Sequence, residues 1–347
     1  MGPAKALFIL LIFGAANFYA SPNANIPEIS YQVKSEAVSF QNGSVSLKGT
    51  LYLPDNSLKN PALVVYHAAS GGTRNFQFYE HFKKEIPSKG FAVLLFDRRG
   101  SGESNGDFDS ADFTDLASDG IAGVKLLKSR KEIDPRRIGV WGVSQGGWIA
   151  PLAATMSGDI SFVIIVSGPG VSPAEQMSFA ARYSIQEAGY SKEQIEEGVN
   201  LRRLLDSYYR GQESEENVRK AVDGARKKPW FDLAYLPNRG NIPGNPKTTK
   251  WFQEMDFDPL PTLSKVKVPI LVFFGETDRW VPIEESIKRI KKATLMNKCV
   301  EFHRIKGGDH LMMTGAPDSG GPVSKQYLKL LVEWLKSKNK PFPKSQR

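Results

Sequence analysis

The chain has 347 residues, 41% of them hydrophobic, which is ample for a packed core and too apolar for a disordered chain. That length suits one large α/β domain carrying an insertion, or two domains. The formal charge of +9 reads as a basic soluble surface, with contact to an anionic membrane surface or an acidic substrate as the alternative. No helix-turn-helix, zinc or aromatic-basic pattern accompanies it, so nucleic acid is not an expected partner.

The first stretch, MGPAKALFILLIFGAANFYA, places Lys5 before an apolar run from Ala6 to Ala16, interrupted only by Gly14. The run is shorter than the roughly 20 residues of a membrane span. It fits a secretory signal peptide over residues 1–20, with cleavage after Ala20, or after Ala16 as a rival, and so an exported protein. An uncleaved anchor is the alternative. Next, EAVSFQNGSVSLKGTLYLPD (36–55) alternates apolar and polar residues on both sides of Asn42-Gly43, a hairpin signal that predicts an antiparallel start.

The pattern then changes. ALVVYH (62–67), FAVLLFD (91–97), RIGVWGV (137–143), SFVIIVS (161–167) and PILVFFG (269–275) are continuous apolar runs, as expected of strands covered on both faces. Helical patterns at 76–88, 112–130 and 145–156 separate the first four. The chain closes with 283–294 helical, 299–305 strand and 322–337 helical. This alternation predicts βα units around a mostly parallel central sheet. Residues 171–258 break the rhythm with helical, charge-rich segments and no strand-like run. The expected organisation is a leader (1–20), a core in two parts (21–170 and 259–347) and an inserted helical cap (171–258) roofing the site. Cys299 is the only cysteine, so no intrachain disulfide forms; opening a strand-like run, it reads as a buried, inert thiol.

Gly142-Val143-Ser144-Gln145-Gly146 is a G-x-S-x-G sequence set between a strand pattern and a helix pattern. A serine at such a sharp turn is a nucleophile elbow, and the amide of the following residue, Gln145, lies at the positive end of a helix where an oxyanion would form. The hydroxyl needs a base. Four histidines are available. His310 follows a strand pattern and a Gly-Gly pair and is the candidate base. His303 lies within a strand and reads as structural, His81 sits in a charged helix and reads as solvated, and His67 ends a buried strand. The base needs an acid that fixes its tautomer. Asp278 lies just past the end of an apolar strand, where ligand chemistry gathers in open α/β sheets. Glu276 and Asp309 are its rivals. No metal-ligand spacing and no phosphate loop occurs, so no metal or cofactor is expected.

The segments GVSQGG, FDRRGSGESNGDF (96–108), VPILVFFGETDRWVP (268–282) and GGDH resemble the serine α/β-hydrolases, in particular bacterial carboxylesterases and lysophospholipase-like hydrolases with a helical cap. The resemblance spans about residues 36–337, and the cap matches in position only. It implies an α/β-hydrolase sheet, and the family's nucleophile, acid and base fall on Ser144, Asp278 and His310. Asp97 and Arg98-Arg99-Gly100 match a structural turn. Members usually have His-Gly after the first buried strand, where a following amide completes the oxyanion hole. Here the residues are His67-Ala68-Ala69-Ser70, with Ala69 the positional match and the choice among Ala68, Ala69 and Ser70 open. His67 would brace that loop. The expected activity is cleavage of a small-molecule or lipid carboxylic ester through an acyl-enzyme. A peptidase or thioesterase with the same machinery, and a catalytically silent member of the fold, are the competing readings.

Overall fold

Strands β1 (Val33–Asn42) and β2 (Val45–Pro54) pair antiparallel along their whole length around the two-residue loop Gly43-Ser44. Gly43 has φ 59°, the left-handed value that this hairpin turn needs at its first loop position. The structure, a computed structural model, describes residues 30–315 and 320–337. The expected leader over residues 1–20 therefore lies outside the described residues.

Six further strands follow: β3 (Asn60–Tyr66), β4 (Ala92–Phe96), β5 (Ile133–Val143), β6 (Val163–Val166), β7 (Ile270–Gly275) and β8 (Val300–Ile305). The sheet order is β1-β2-β4-β3-β5-β6-β7-β8. β2 pairs antiparallel with β4, and every later pairing is parallel. This is the mostly parallel sheet that the apolar runs predict, with the antiparallel start that the hairpin signal at Asn42-Gly43 predicts.

The runs are continuous because both faces of the sheet are covered. Val64 and Tyr66 join one apolar layer with the helices Phe113–Lys128 and Gly146–Met156. Leu63 and Val65 join the other, with the helix Lys325–Ser337 and the turns near residues 77–88. Across that second layer Trp141 Nε1 donates to Tyr327 Oη at 3.0 Å.

Three local expectations need correction. The helix expected at 76–88 is broken into a 3-10 turn (Gln77–Tyr79) and two single helical turns (Glu80–Lys83 and Glu85–Ser88). Pro87 lacks the N–H that would continue the ladder, and its ring crowds the preceding turn. His81 is not solvated. It is 3% exposed, packed on Phe78, Phe82 and Tyr327, because this broken segment lies flat on the sheet. Cys299 is exposed rather than buried, since β8 is the edge strand and Cys299 precedes its first residue.

The insertion runs from β6 to β7. Its helices Pro173–Glu187, Lys192–Tyr209 and Glu215–Ala225 begin on Ser172, Ser191 and Ser214, each accepting from the third helical amide. They enclose a separate apolar cluster that includes Val199, Leu205, Tyr209, Val222, Trp230 and Met255. A return path through Lys250–Glu254 and Pro259–Lys265 leads back to the sheet. Among the described residues, no helix is long and apolar enough to cross a membrane.

Candidate active site

Ser144 follows the last residue of β5 with φ 55°, a left-handed conformation that a side-chain-bearing residue adopts at a cost of order 1 kcal/mol or more. The surrounding glycines make the turn possible. A Cβ on Gly142 would lie 2.0 Å from the Gly146 carbonyl oxygen, one on Gly146 would lie 2.7 Å from the Tyr66 carbonyl oxygen, and one on Gly147 would lie 2.4 Å from the Gly168 Cα. The strand, the helix and the neighbouring loops thus approach at distances that exclude any side chain. Two bonds hold the corner. Ser144 N–H donates to the Val166 carbonyl at 2.9 Å, and the Ser144 carbonyl accepts from Gly147 N–H at 2.8 Å. Gln145, directly before the helix Gly146–Met156, is the helix cap.

His310 lies beyond β8 and Asp278 beyond β7, both past the carboxyl ends of parallel strands, as Ser144 lies beyond β5. His310 Nδ1 and Asp278 Oδ2 are 2.8 Å apart. The Asp278 side chain is fully buried, and its other oxygen accepts from Trp280 N–H at 2.8 Å and Val281 N–H at 3.2 Å. A carboxylate held this way takes Nδ1–H from the imidazole, which puts the ring's basic lone pair on Nε2. The rivals have other partners. Asp309 Oδ1 accepts from Leu311 and Met313 N–H, both at 2.8 Å, and so shapes the loop that carries His310. Glu276 is exposed and accepts from Gly307 N–H at 3.3 Å. Gly275 lets that loop close over β7, since a Cβ there would lie 2.1 Å from the Asp309 carbonyl oxygen.

The loop after β3 is braced from below. His67 is buried, with Nε2 at 2.5 Å from the Phe96 carbonyl and Nδ1 at 3.1 Å from Tyr79 Oη. Burial, its main cause, lowers its pKa to about 4, so the ring is a neutral brace. The Ala68 backbone approaches the Tyr79 hydroxyl, whose own pKa burial raises. Ala69 and Ser70 follow, exposed. From the next turn, Arg98 Nη1 donates to the carbonyls of Ala68 (3.1 Å) and Ala69 (3.0 Å). Asp97 accepts from the backbone N–H groups of Arg74 and Glu103 and pairs with the Arg74 guanidinium, which fits the structural turn expected of it.

The insertion reaches this region from two sides. Its Glu254, 7% exposed, accepts from Gln145 Nε2 at 3.2 Å. Its Tyr235 packs on Trp280 with ring centroids 4.9 Å apart, and Trp280 in turn lies 6.5 Å from the His310 ring. The sequence assigns no role in the site to Arg98, Glu254, Tyr235 or Trp280. Arg98 and Trp280 lie in the segments 96–108 and 268–282 that carry the family resemblance, Tyr235 is one of several aromatics of the insertion, and Glu254 lies in a stretch without a recognisable spacing.

Comparison with known proteins bears on the family and the fold. Residues 42–310 match the Peptidase_S15 model, described as X-Pro dipeptidyl-peptidase (S15 family). The chain is 24% identical over 270 residues to the quorum-quenching protein AidA of Acinetobacter baumannii, a match covering 76% of this chain and 84% of that protein. Its fold is similar to an esterase from Pyrococcus furiosus, with a TM-score of 0.58 at 20% identity over 88% of this chain and 91% of the other. It is similar as well to the acylaminoacyl peptidase of Pyrococcus horikoshii, with a TM-score of 0.59 at 18% identity over 90% of this chain and 42% of the other. Family match and sheet topology together place this chain in the X-Pro dipeptidyl-peptidase (S15) family of the serine α/β-hydrolases.

Proposed function

We propose that this hydrolase cleaves a carboxylic ester by a Ser144–His310–Asp278 triad. The observation that carries the reading is the 2.8 Å His310–Asp278 bond, at the same edge of the sheet as the left-handed Ser144. Ser144 Oγ attacks the carbonyl carbon while His310 Nε2 takes its proton. The tetrahedral oxyanion is stabilised by the amides of Gln145 and Ala69. Its collapse breaks the bond to the leaving alcohol, which takes the proton back from His310. Water, deprotonated by His310, then attacks the acyl-enzyme and frees the acid, restoring Ser144. No step calls for a metal or cofactor.

The insertion is the second part of the proposal. Tyr235 and Trp280 form an apolar wall beside His310, so the insertion acts as a lid that selects the acyl or alcohol group. A small-molecule or lipid ester is the substrate class that an apolar wall favours.

A peptidase reading is favoured by one specific finding, the match to the X-Pro dipeptidyl-peptidase model. The two readings share every group above and differ in the leaving group, because an amine must be protonated more completely as it departs. A rate panel on the purified protein separates them: esters of rising acyl length, a thioester, and an X-Pro aryl amide. The ester reading predicts the highest kcat/KM on an ester; a preference for the X-Pro amide would replace it with the peptidase reading.

A further inference from the structure

We propose that Glu254 is a positioning residue that sets both sides of the oxyanion hole, through Gln145 on one side and Arg98 on the other. The inference rests on the Ser144 reading above and extends it to a residue of the insertion.

On the first side the contact is direct. Glu254 Oε2 accepts from Gln145 Nε2 at 3.2 Å. Gln145 is 5% exposed and its Oε1 is buried with no hydrogen-bond partner, so the Glu254 bond is what orients the side chain. The backbone N–H of this same residue is the one that the proposed mechanism assigns to the oxyanion.

On the second side the link is through charge. Arg98 Nη1 holds the carbonyls of Ala68 and Ala69. A planar trans peptide points its C=O and N–H in opposite directions. Fixing the Ala68 carbonyl therefore fixes the Ala69 N–H, and fixing the Ala69 carbonyl fixes the Ser70 N–H. Arg98 pulls both carbonyls its way and turns both amides the other way. Its guanidinium lies 3.4 Å from the centroid of the Phe108 ring, and Lys250 Nζ lies 4.1 Å from the same centroid. Two cations on one ring repel unless an anion offsets them. Glu254 is that anion. It pairs with Lys250 Nζ at 2.7 Å; burial lowers the Arg98 pKa, and the Glu254 charge, after Tyr79, opposes that shift. Asp109 adds a smaller favourable charge for Arg98.

Burial raises the Glu254 pKa above the usual carboxylate range, opposed by Lys250, Arg98 and Gln145. A carboxylate desolvated to this degree is retained against a cost. An apolar residue would fill the space between insertion and sheet without that cost. The charge is therefore spent on orientation, with the insertion holding the groups that accept developing negative charge.

The test uses the whole protein and a fluorophosphonate. Ser144 Oγ forms a bond to phosphorus, fluoride leaves, the serine proton passes to His310, and the phosphoryl oxygen occupies the oxyanion hole whatever the natural substrate. The inactivation kinetics give KI for binding and kinact for bond formation. Glu254→Ala should lower kinact by about 30-fold with KI within about twofold, the size expected of displaced rather than deleted oxyanion donors. Glu254→Gln keeps an acceptor for Gln145 and should recover roughly half of that loss on a logarithmic scale; it also serves where the alanine variant does not fold. Kinact within about twofold of wild type in both variants would overturn the proposal. So would a loss confined to KI, or a loss in both variants that tracks a drop in Tm. A wild-type protein that the phosphonate does not modify at Ser144 would instead overturn the triad reading, and this inference with it.

Discussion

Replacing His81 by Phe should remove about half of the sensitivity to mild acid that the two buried rings His81 and His67 confer, without touching the catalytic groups. His81 is 3% exposed and neither ring nitrogen has a hydrogen-bond partner. Burial lowers its pKa from 6.5 to about 3, with a weak opposing approach to the Phe78 backbone. The folded protein therefore keeps this ring neutral, while the unfolded chain takes up a proton below about pH 6.5. Stability from such a group is complete above the unfolded value and is lost as the pH falls toward the folded one. At about pH 5 the unfolded state is favoured by about 1.5 pH units of proton binding, or about 2 kcal/mol. His67, lowered by burial to about 4, adds a similar amount over the same interval. Wild type should then lose about 4 kcal/mol of stability between about pH 7.5 and pH 5 through these two rings, and His81→Phe about 2 kcal/mol. Near neutral pH the variant should stay within about 1 kcal/mol of wild type, since Phe78, Phe82 and Tyr327 already surround the site with aromatic rings. Urea unfolding midpoints at the two pH values give the answer. Identical pH dependence in the two proteins would refute the argument that burial keeps this ring neutral.

Asp278→Asn should cost on the order of ten-thousand-fold in kcat, because an amide facing His310 Nδ1 favours the wrong tautomer and carries no charge to stabilise the imidazolium. Asp309→Asn, which still offers an acceptor to Leu311 and Met313, should cost far less; steady-state kinetics on both variants would expose a reversed ranking. Gly142→Ala places a Cβ 2.0 Å from the Gly146 carbonyl oxygen and should destabilise the fold by about 3 kcal/mol or more while abolishing turnover, as thermal melts and assays would report. Tyr235→Gly relieves a left-handed residue (φ 46°) while deleting the ring on Trp280, so it should flatten the dependence of kcat/KM on acyl length. Each methylene lost from burial accounts for about 0.8 kcal/mol of that slope. Replacing residues 171–258 by a short linker should flatten it further, and an unchanged ester profile in either variant would move selectivity to the core loops.

The sheet was legible because a strand covered on both faces has no choice but to be apolar throughout, and Ala62 to Tyr66 and Ile270 to Phe274 are buried without exception. The elbow was legible because its glycines have a steric task that no other residue can perform. What escaped were side chains whose role depends on distant partners. His81 carries the same charge pattern around it as a solvated helix would, and only the way segment 77–88 lies on the sheet buries it. Cys299 opens an apolar-looking run that is the sheet's exposed edge. Glu254 and Gln145 are 109 residues apart, and nothing near either one announces the contact. For the acid, local sequence offered Asp278, Glu276 and Asp309. The structure brings Asp278 to His310 and gives the other two backbone amides to hold.

The central claim is that Ser144 is the nucleophile, and turnover of a short-chain aryl ester by wild type and Ser144→Ala tests it most directly. Replacing the serine hydroxymethyl side chain by methyl removes only the oxygen and leaves the glycine packing of the elbow intact, so the variant should fold with an unchanged Tm. Its kcat should fall by about a million-fold, as expected when the nucleophile of a triad is removed. A folded Ser144→Ala protein that hydrolyses the ester at near wild-type rate would contradict the account.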